Sequence, residues 1–141
     1  PAPGAGGRRF RGGAGRHGAA AREFKLQRGP LPAGAMIENL EPEQVLALLA
    51  APQPPRVLDV REAFEIEWAP FPGAVHIPLG ELTQRHGELD PAAPLVLLCH
   101  HGVRSLRAAG FLASRGFKRL INLRGGIDAW SRSVAPEIPR Y

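Results

Sequence analysis

The stretch that decides the fold is LVLLCHHGVRSLRAAGFL, residues 95–112. Its first part, residues 95–99, is an unbroken apolar run that predicts a buried strand ending at Cys99. Residues 104–115 have a helical pattern, and Gly116 stands where a glycine commonly ends a helix. The stretch therefore predicts a strand, a tight loop and a helix in immediate succession, which is the unit of α/β domains.

Strands and helices alternate along the rest of the chain as well. Strands are predicted at residues 56–60, 73–77 and 118–123. Helices are predicted at residues 39–51, 61–69, 79–86 and 125–133. Pro42 lies in the first turn of the first helix, and the chain closes on an irregular segment from residue 133 to residue 141. This alternation indicates a single α/β domain with a mainly parallel central sheet.

The first 35 residues differ in charge and composition from the rest. They carry seven Lys and Arg against one acid, hence a net charge of +6, whereas residues 36–141 carry eleven against twelve, hence −1. Gly, Arg, Ala and Pro dominate residues 1–35, and no apolar period appears. We therefore expect residues 1–35 to be a disordered extension and residues 36–141 to be the domain. Met36, the only methionine, stands where the predicted ordered sequence begins, which favours an extension without function.

Two functional interpretations of the extension stay open. It is Arg-rich and nearly free of acids, like an organellar targeting segment, although it contains no Ser. An RNA-binding arm would carry repeated RGG units and interleaved aromatic residues, and the extension has almost none of these. Because the domain is slightly acidic, nucleic acid is not an expected partner. No stretch reaches the roughly 18 apolar residues that span a bilayer, so we expect no membrane partner and, unless the extension is a targeting segment, a cytoplasmic location.

Cys99 is the only cysteine, which constrains its chemistry. One cysteine forms neither an internal disulfide, nor a cysteine-based structural zinc site, nor a pair with a resolving thiol. A reduced compartment is the simpler setting for such a free thiol. Any sulfur carried on Cys99 must therefore be released to another molecule.

The loop after Cys99 has the composition of an anion cradle. It follows the carboxyl end of a predicted parallel strand, where sites form in such sheets, as does the segment from Asp59 to Glu62. Gly102 permits the positive φ that a tight curve often needs, so that the backbone N–H groups converge near the helix N-terminus and Arg104. Such surroundings favour a thiolate and make a cysteine nucleophilic. The alternative interpretation is an inert buried thiol at the end of a strand.

The histidines give weaker signals. His100 and His101 are neighbours in sequence, so they are poorly spaced to act as a hydrolase base or to bind one metal ion together with Cys99. A distant His76 or His86 could serve as a base only if the fold delivered it to Cys99. We therefore predict no metal site, and we interpret the two loop histidines as solvated positions that favour anionic donors.

Four segments resemble, in this order, those of single-domain rhodanese-like sulfurtransferases: LDVRE (58–62), GAVHIPLGEL (73–82), the stretch at 95–112 and INLRGGIDAW (121–130). The resemblance covers roughly residues 37–132. It implies one rhodanese-like domain whose mainly parallel sheet is flanked by helices on both faces. It also implies that Cys99 takes a sulfane sulfur from a small donor (thiosulfate, polysulfide or a persulfide) and becomes a persulfide. The sulfur then passes to cyanide or to a thiol, either of a small molecule or of a protein such as a thioredoxin-like one, with no cofactor besides the covalent persulfide.

The same resemblance implies roles for individual residues. Cys99 matches the nucleophile, and Arg104 is expected to fix the loop or to face the incoming anion. Asp59 and Arg61 match an acid and a base at the end of the family's first strand, so we expect Asp59 to order backbone N–H groups and Arg61 to form a structural ion pair. The positions that match the cradle around the persulfide are His100, His101, Gly102, Val103, Arg104 and Ser105.

Three further positions carry expectations. Gly125 and Gly126 should allow a tight turn near the loop, and Trp130 should lie in the core. Glu65 is a departure, because some thiosulfate-cleaving relatives carry an Arg at the matching position, four residues after the match to Arg61. An acid there disfavours a doubly charged donor, so we expect thiosulfate to serve only as a laboratory substrate.

Two other functions compete with sulfur transfer. Rhodanese-related phosphatases of the cell-cycle type place five residues between Cys and Arg, whereas four separate Cys99 from Arg104 here. The smaller ring of N–H groups suits a sulfur atom better than a phosphate. A non-enzymatic rhodanese-homology module for binding or regulation is the second rival, and such modules usually lack the cysteine. Replacing Cys99 by Ser would abolish sulfur transfer but leave binding intact.

Overall fold

The computed structural model describes residues 34–141, so the expected disorder of residues 1–35 lies almost entirely outside the described residues. Two short 3₁₀ turns, Leu79–Glu81 and His86–Glu88, flank the third helix of this part. None of its helices is long and apolar enough to cross a bilayer. The helices and strands, in chain order, are β1 (Met36–Leu40), α1 (Pro42–Leu49), β2 (Arg56–Asp59), α2 (Ala63–Trp68), β3 (Val75–His76), α3 (Leu82–Arg85), β4 (Leu95–Leu98), α4 (Val103–Ser114), β5 (Arg119–Leu123) and α5 (Gly126–Ser133).

The five strands form one sheet in the order β1-β5-β4-β2-β3, and every neighbouring pair is parallel. The predicted apolar strand, β4, lies at the centre between β5 and β2. Because parallel neighbours end at the same edge, the loops after β2, β4 and β5 share one edge of the sheet. The predicted α/β class with a parallel sheet is confirmed.

The side chains of β4 alternate between two cores, one on each face of the sheet. Leu95 and Leu97 pack in the cluster that contains α4, whereas Val96 and Leu98 pack in the cluster that contains α1 and α5. Each such buried side chain contributes about 1.5–3 kcal/mol relative to exposure. Trp130 belongs to the second cluster, as expected. Helices therefore cover both faces of the sheet, which confirms the predicted architecture.

The N-terminal helix begins later than its apolar pattern predicts. Residues 39 and 40 belong to β1, which sequence analysis did not predict and which pairs with β5 from Met36 to Leu40. The helix starts at Pro42, which has no N–H group to leave unpaired, and Glu41 caps it reciprocally with Gln44. The strand depends on the edge that β5 offers, and this partner is about 80 residues away in sequence.

Two elements in the middle of the chain are shorter than predicted. The strand predicted at residues 73–77 is reduced to Val75–His76: Gly73 has a φ of +82°, which is not a strand conformation, and a 3₁₀ turn begins at Leu79. The helix predicted at residues 79–86 is a four-residue helix, α3, between two 3₁₀ turns. Gly80 and Gly87 lie in those turns and disfavour a continuous helix. Neither change moves the strands that carry the candidate site.

Candidate active site

Cys99 directly follows β4 and lies beneath the loop that leads into α4. Its exposed fraction is 1%. The Sγ atom accepts hydrogen bonds from the N–H of Gly102 at 3.1 Å and from the N–H of Ser105 at 3.3 Å. Of the six loop residues expected to form a cradle, these two donate to the sulfur in the described structure. A sulfur held this way is placed where backbone dipoles stabilise negative charge.

Gly102 enables the turn that brings these donors back to the sulfur. Its φ is +97°, in the left-handed region, and α4 begins at the next residue, one position earlier than predicted. A Cβ on Gly102 would lie 3.1 Å from the nitrogen of Gly125 and 3.3 Å from the carbonyl oxygen of Leu123. Glycine is therefore required here both by the backbone conformation and by the close approach of the β5–α5 turn.

A neutral side-chain network extends from the sulfur into the sheet. Ser105 Oγ lies 3.3 Å from Sγ and donates its proton to Asn122 Oδ1 at 2.5 Å. Asn122 Nδ2 in turn donates to Asn39 Oδ1 at 2.8 Å and to the carbonyl oxygen of Gly102 at 3.1 Å. We call this group the inner network: Cys99, Gly102, Ser105, Asn122 and Asn39.

The start of α5 fixes the other side of the loop. The N–H of Ile127 donates to the carbonyl oxygen of Cys99 at 2.8 Å, and that of Asp128 donates to the carbonyl oxygen of His100 at 3.1 Å. Gly126 has a φ of +64°, and a Cβ there would collide with both carbonyl oxygens. The tight turn predicted at Gly125 and Gly126 is therefore present, and it holds the loop backbone by hydrogen bonds.

Asp59 and Arg61 form a buried ion pair at the end of β2. Arg61 donates from Nε to Asp59 Oδ1 at 3.0 Å and from Nη2 to Oδ2 at 2.7 Å. Asp59 Oδ1 also accepts the N–H of Arg61 at 3.0 Å, and Arg61 Nη2 reaches the carbonyl oxygen of Ala69 at 2.8 Å. Burial lowers the pKa of Arg61, but the hydrogen bonds with Asp59 and Tyr141 outweigh it and raise the pKa. The expected structural ion pair of Arg61 is therefore present, and Asp59 accepts a backbone N–H group as expected.

Arg104 is fixed by Glu65, a partner that sequence analysis did not assign to it. Two parallel hydrogen bonds of 2.8 Å join Nη1 to Oε2 and Nη2 to Oε1. Burial raises the pKa of Glu65, but hydrogen bonds from Arg104, the N–H of Glu62 and Tyr141 outweigh it and lower the pKa to about 2. The pair ties the first turn of α4 to α2. Of the two expected roles of Arg104, the described structure therefore has the loop-fixing one.

Tyr141, in the segment predicted to be irregular, completes this charged group. Its hydroxyl donates to Glu65 Oε1 at 2.9 Å and accepts from Arg61 Nη1 at 3.0 Å. Burial raises the pKa of Tyr141 to about 12; Arg61 opposes this rise and Glu65 adds to it. Its ring stacks on His100 with centroids 3.9 Å apart. We call this group the outer network: Asp59, Arg61, Glu65, Arg104 and Tyr141.

The family identity follows from a comparison with known proteins. The rhodanese-like domain family matches residues 41–133, which contain β2 to α5 and the whole cysteine loop. This chain belongs to the rhodanese-like domain family. Its parallel sheet, with a cysteine loop after the central strand, confirms the resemblance seen in the sequence.

Several relatives of this rhodanese-like chain are sulfurtransferases by name. A sulfurtransferase of Allochromatium vinosum is 33% identical over 106 residues, covering 72% of this chain and 99% of that protein. The putative sulfurtransferase YtwF of Bacillus subtilis is 32% identical over 103 residues, covering 73% and 90%. The putative sulfur carrier protein YrkF of Bacillus subtilis is 45% identical over 75 residues, covering 53% of this chain but only 40% of that protein. These relatives support a transferase of the rhodanese type.

Solved structures agree with the fold. A rhodanese-related protein of Thermoplasma volcanium has a TM-score of 0.63 at 28% identity, covering 70% of this chain and 95% of that one. The single-domain sulfurtransferase RDL2 of Saccharomyces cerevisiae has a TM-score of 0.62 at 22% identity, covering 74% and 96%. The second likeness shows the fold alone.

The histidines of this rhodanese-like domain do not form a hydrolase base. His76 Nε2 lies 2.7 Å from the carbonyl oxygen of Arg61, and His86 packs edge-on against Phe111. His100 Nε2 lies 2.7 Å from the carbonyl oxygen of Tyr141 and so carries the proton in that hydrogen bond. Within residues 34–141, none of the hydrogen bonds of Cys99 Sγ involves a histidine.

One cluster has the composition of a metal site. His100, His101 and Asp128 place possible ligand atoms within 4.8 Å of one another. However, Asp128 Oδ1 accepts from Arg140 at 3.0 Å, and Oδ2 lies 3.7 Å from Arg132. The hydrogen bond of His100 uses Nε2 and leaves Nδ1 outside these contacts, so the prediction of no metal site stays a prediction.

Four residues of the two networks were not predicted for these roles: Asn39, which was assigned to the first helix, and Asn122, Glu65 and Tyr141. Asn122 carried one readable signal, since it is a polar residue inside the apolar strand RLINL. Glu65 was noticed as a departure from the family pattern but not as the partner of Arg104. Tyr141 had no signal, because nothing in an irregular segment indicates which distant residue an aromatic side chain contacts.

Proposed function

We propose that this rhodanese-like domain is a sulfurtransferase that carries a sulfane sulfur on Cys99 as a persulfide, without another cofactor. One observation carries the proposal: the buried Sγ accepts the N–H groups of Gly102 and Ser105 at 3.1 and 3.3 Å. Donors aimed at a sulfur stabilise it when it is negatively charged. An inert buried thiol needs no such donors. The names of its sulfurtransferase relatives support the same reaction class.

The reaction has two halves. First, the Cys99 thiolate attacks the outer sulfur of the donor; with thiosulfate, the donor S–S bond breaks and sulfite leaves with its electron pair. Second, an acceptor attacks the outer sulfur of the Cys99 persulfide, and the electron pair of the broken bond returns to Sγ. Cyanide leaves as thiocyanate, and a thiol leaves as a persulfide. Cys99 begins and ends as a thiolate, so this sequence follows ping-pong kinetics.

The inner network serves both halves. Negative charge lies on Sγ before the first half and returns to Sγ at the end of the second. The N–H groups of Gly102 and Ser105 stabilise it at both points without moving, because Asn122 and α5 fix the loop. Fixed dipoles in a site of low water content are more effective than solvent, which must reorient. The remaining residues of the predicted cradle, His100, His101, Val103 and Arg104, do not donate to Sγ in the described structure.

The outer network sets the preference for donors. The Glu65 carboxylate accepts hydrogen bonds from both Nη atoms of Arg104, so the positive charge beside the loop is already neutralised. A dianion such as thiosulfate gains little from a paired cation, whereas a polysulfide or a thiol persulfide carries less charge. We infer that thiosulfate is a slower donor than polysulfide or persulfide for this protein.

A kinetic comparison tests the function. The full chain is incubated with polysulfide and cyanide, and thiocyanate is measured for the wild type and for Cys99→Ser. We expect parallel double-reciprocal plots for the wild type and a loss of more than about 1,000-fold in the variant, because the covalent step is removed. Equal rates in the two proteins would refute Cys99 as the sulfur carrier and would favour the non-enzymatic module.

A further inference from the structure

Large apolar side chains are exposed on the two helices beside the cysteine loop. On α2, Phe64 is 52% exposed and Trp68 is 56% exposed; on α4, Val103 is 62% exposed, and Leu106 is exposed as well. The Glu65–Arg104 ion pair joins these two helices beside the loop. Exposed aromatic side chains in such groups are typical of interaction surfaces.

The exposed rings are continuous with the loop itself. The Phe64 and Trp68 centroids are 5.1 Å apart, and those of Trp68 and Tyr141 are 5.6 Å apart. Tyr141 stacks on His100, the residue next to Cys99, at 3.9 Å. We call this group the aromatic row: Phe64, Trp68, Tyr141 and His100. It forms an apolar path from the outer side of α2 to the residue beside the candidate nucleophile.

The charges along this path are paired with one another. Glu65 accepts hydrogen bonds from Arg104 and from the hydroxyl of Tyr141, and Arg61 forms an ion pair with Asp59. These paired groups add little net charge to the row, although the same two helices also expose Glu67 and Arg107. A small anionic molecule would leave most of the apolar area unused, whereas a chain with several apolar side chains would cover it.

We propose that the aromatic row, with Val103 and Leu106, docks a polypeptide whose reacting cysteine is flanked by apolar side chains. This proposal rests on the proposed function. Because Cys99 is the only cysteine, its persulfide must be released to another molecule, and a docked thiol beside the loop meets that need. A second copy of this chain fits less well, because its own Cys99 is buried beneath its own loop and cannot reach across.

The transfer step balances without an added oxidant or reductant. The partner thiol loses its proton to water, and its thiolate attacks the outer sulfur of the Cys99 persulfide. The bond between that sulfur and Sγ breaks, and its electron pair returns to Sγ. Cys99 persulfide and the partner thiol become Cys99 thiolate, a partner persulfide and a proton released to water, so the sulfane sulfur moves without net oxidation.

Two uncharged peptide thiols serve as probes, N-acetyl-Leu-Cys-Phe-amide and N-acetyl-Gly-Cys-Gly-amide. The full chain is loaded with polysulfide, and the rate constant for loss of the persulfide is measured with each peptide. Cyanide is run in parallel, and both peptide rates are expressed relative to the cyanide rate. Burying apolar area of the peptide should make the Leu-Cys-Phe probe about tenfold faster than the glycine probe.

Two double variants locate the effect. Phe64→Ser with Trp68→Ser removes the outer half of the row and should reduce the tenfold preference to about twofold or less. Met36→Ser with Leu46→Ser is the matched control, because these apolar side chains are also exposed but belong to β1 and α1; it should keep the full preference.

Three results would overturn the docking proposal. The first is a wild type that does not distinguish the peptides, and the second is a preference that survives in the Phe64/Trp68 variant. The third is a wild-type dimer, seen by sedimentation, that the same variant dissociates, since the face would then belong to a second copy. Failure of the proposed function is distinct, because cyanide would then remove no sulfur from any of these proteins.

Discussion

The inner and outer networks meet at the same loop but differ in charge and in the distance along the chain that they join. The inner network holds the sulfur with neutral dipoles, and its loop members lie within seven residues, from Cys99 to Ser105. The outer network consists of ionised groups and a tyrosine hydroxyl from three separate segments, with Tyr141 76 residues from Glu65 and 80 from Arg61. Under the proposed function this difference is a division of labour: the inner network supports sulfur transfer, whereas the outer network stabilises the fold and sets the charge that a donor meets.

The largest expected effect is a loss of stability when the buried ion pair of the outer network is broken. Asp59→Ala leaves the fully buried Arg61 guanidinium without its counter-ion, so the free energy of unfolding should fall by about 3–5 kcal/mol. Chemical denaturation of the wild type and the variant measures this loss of free energy. The matched control is Glu38→Ala, which breaks the more exposed ion pair with Arg119 and should cost less than about 1 kcal/mol.

Two results bear on that comparison. If Asp59→Ala does not fold, Asp59→Asn keeps an acceptor for Arg61 and should fold with reduced stability. If Asp59→Ala costs no more than Glu38→Ala, the outer network is not the stabilising one and the division of labour is wrong.

The next effect is on catalysis. Asn122→Ala removes the acceptor of the Ser105 hydroxyl and the donor to the Gly102 carbonyl oxygen. The N–H groups that face Sγ should lose their alignment, so kcat for thiocyanate formation should fall about tenfold while KM for the donor changes little. Stability should fall by about 1–3 kcal/mol, because buried polar atoms lose partners.

Asn39→Ala is the matched control for this experiment. It removes only the far partner of Asn122 and leaves the contacts with Ser105 and Gly102 in place. Its kcat should stay within about twofold of the wild type. A folded Asn122→Ala protein with full kcat would show that the sulfur does not depend on the inner network.

The third expected effect is the pH dependence of the outer network. The pKa of Glu65 is lowered from 4.5 to about 2, so its ionised form contributes stability above about pH 4.5. This contribution is lost as the pH falls towards 2, through the folded-state pKa. Denaturation curves between pH 5 and pH 2 should therefore show the advantage of the wild type over Glu65→Gln shrinking by about 2 kcal/mol.

Glu67→Gln, on the exposed side of α2, is the control for that series. Its difference from the wild type should show no comparable change over the same pH interval. A constant gap between the wild type and Glu65→Gln down to pH 2 would mean that Glu65 does not owe its charge to Arg104 and Tyr141.

Predictability from sequence follows the distance along the chain between the residues that meet. Cys99, Gly102 and Ser105 lie on one strand–loop–helix unit, so local patterning was enough to place them together. Apolar runs likewise predicted β2, β4 and β5 and the parallel sheet. Local rules also marked the Gly125–Gly126 turn, although its hydrogen bonds to the loop became visible only in the fold.

What sequence reasoning missed depends on pairing between distant segments. β1 exists because β5 offers an edge, and only its last two residues were assigned to an element from sequence, as the start of a helix. The sequence showed that Glu65 stands where some relatives carry an Arg. It did not show that Glu65 pairs with Arg104, which is 39 residues away. Tyr141 stacks on a residue 41 positions earlier, and no periodicity encodes such a contact.

Intact mass spectrometry of the full chain tests the central claim most directly. The protein is treated briefly with polysulfide, its mass is measured, and cyanide is then added. We predict a gain of about 32 Da per sulfur atom, reversed by cyanide and absent in Cys99→Ser. Because the chain has one cysteine, a gain in mass that is absent in Cys99→Ser is assigned to Cys99. A folded wild-type protein that gains no sulfur from polysulfide or thiosulfate would contradict the account and leave a binding module.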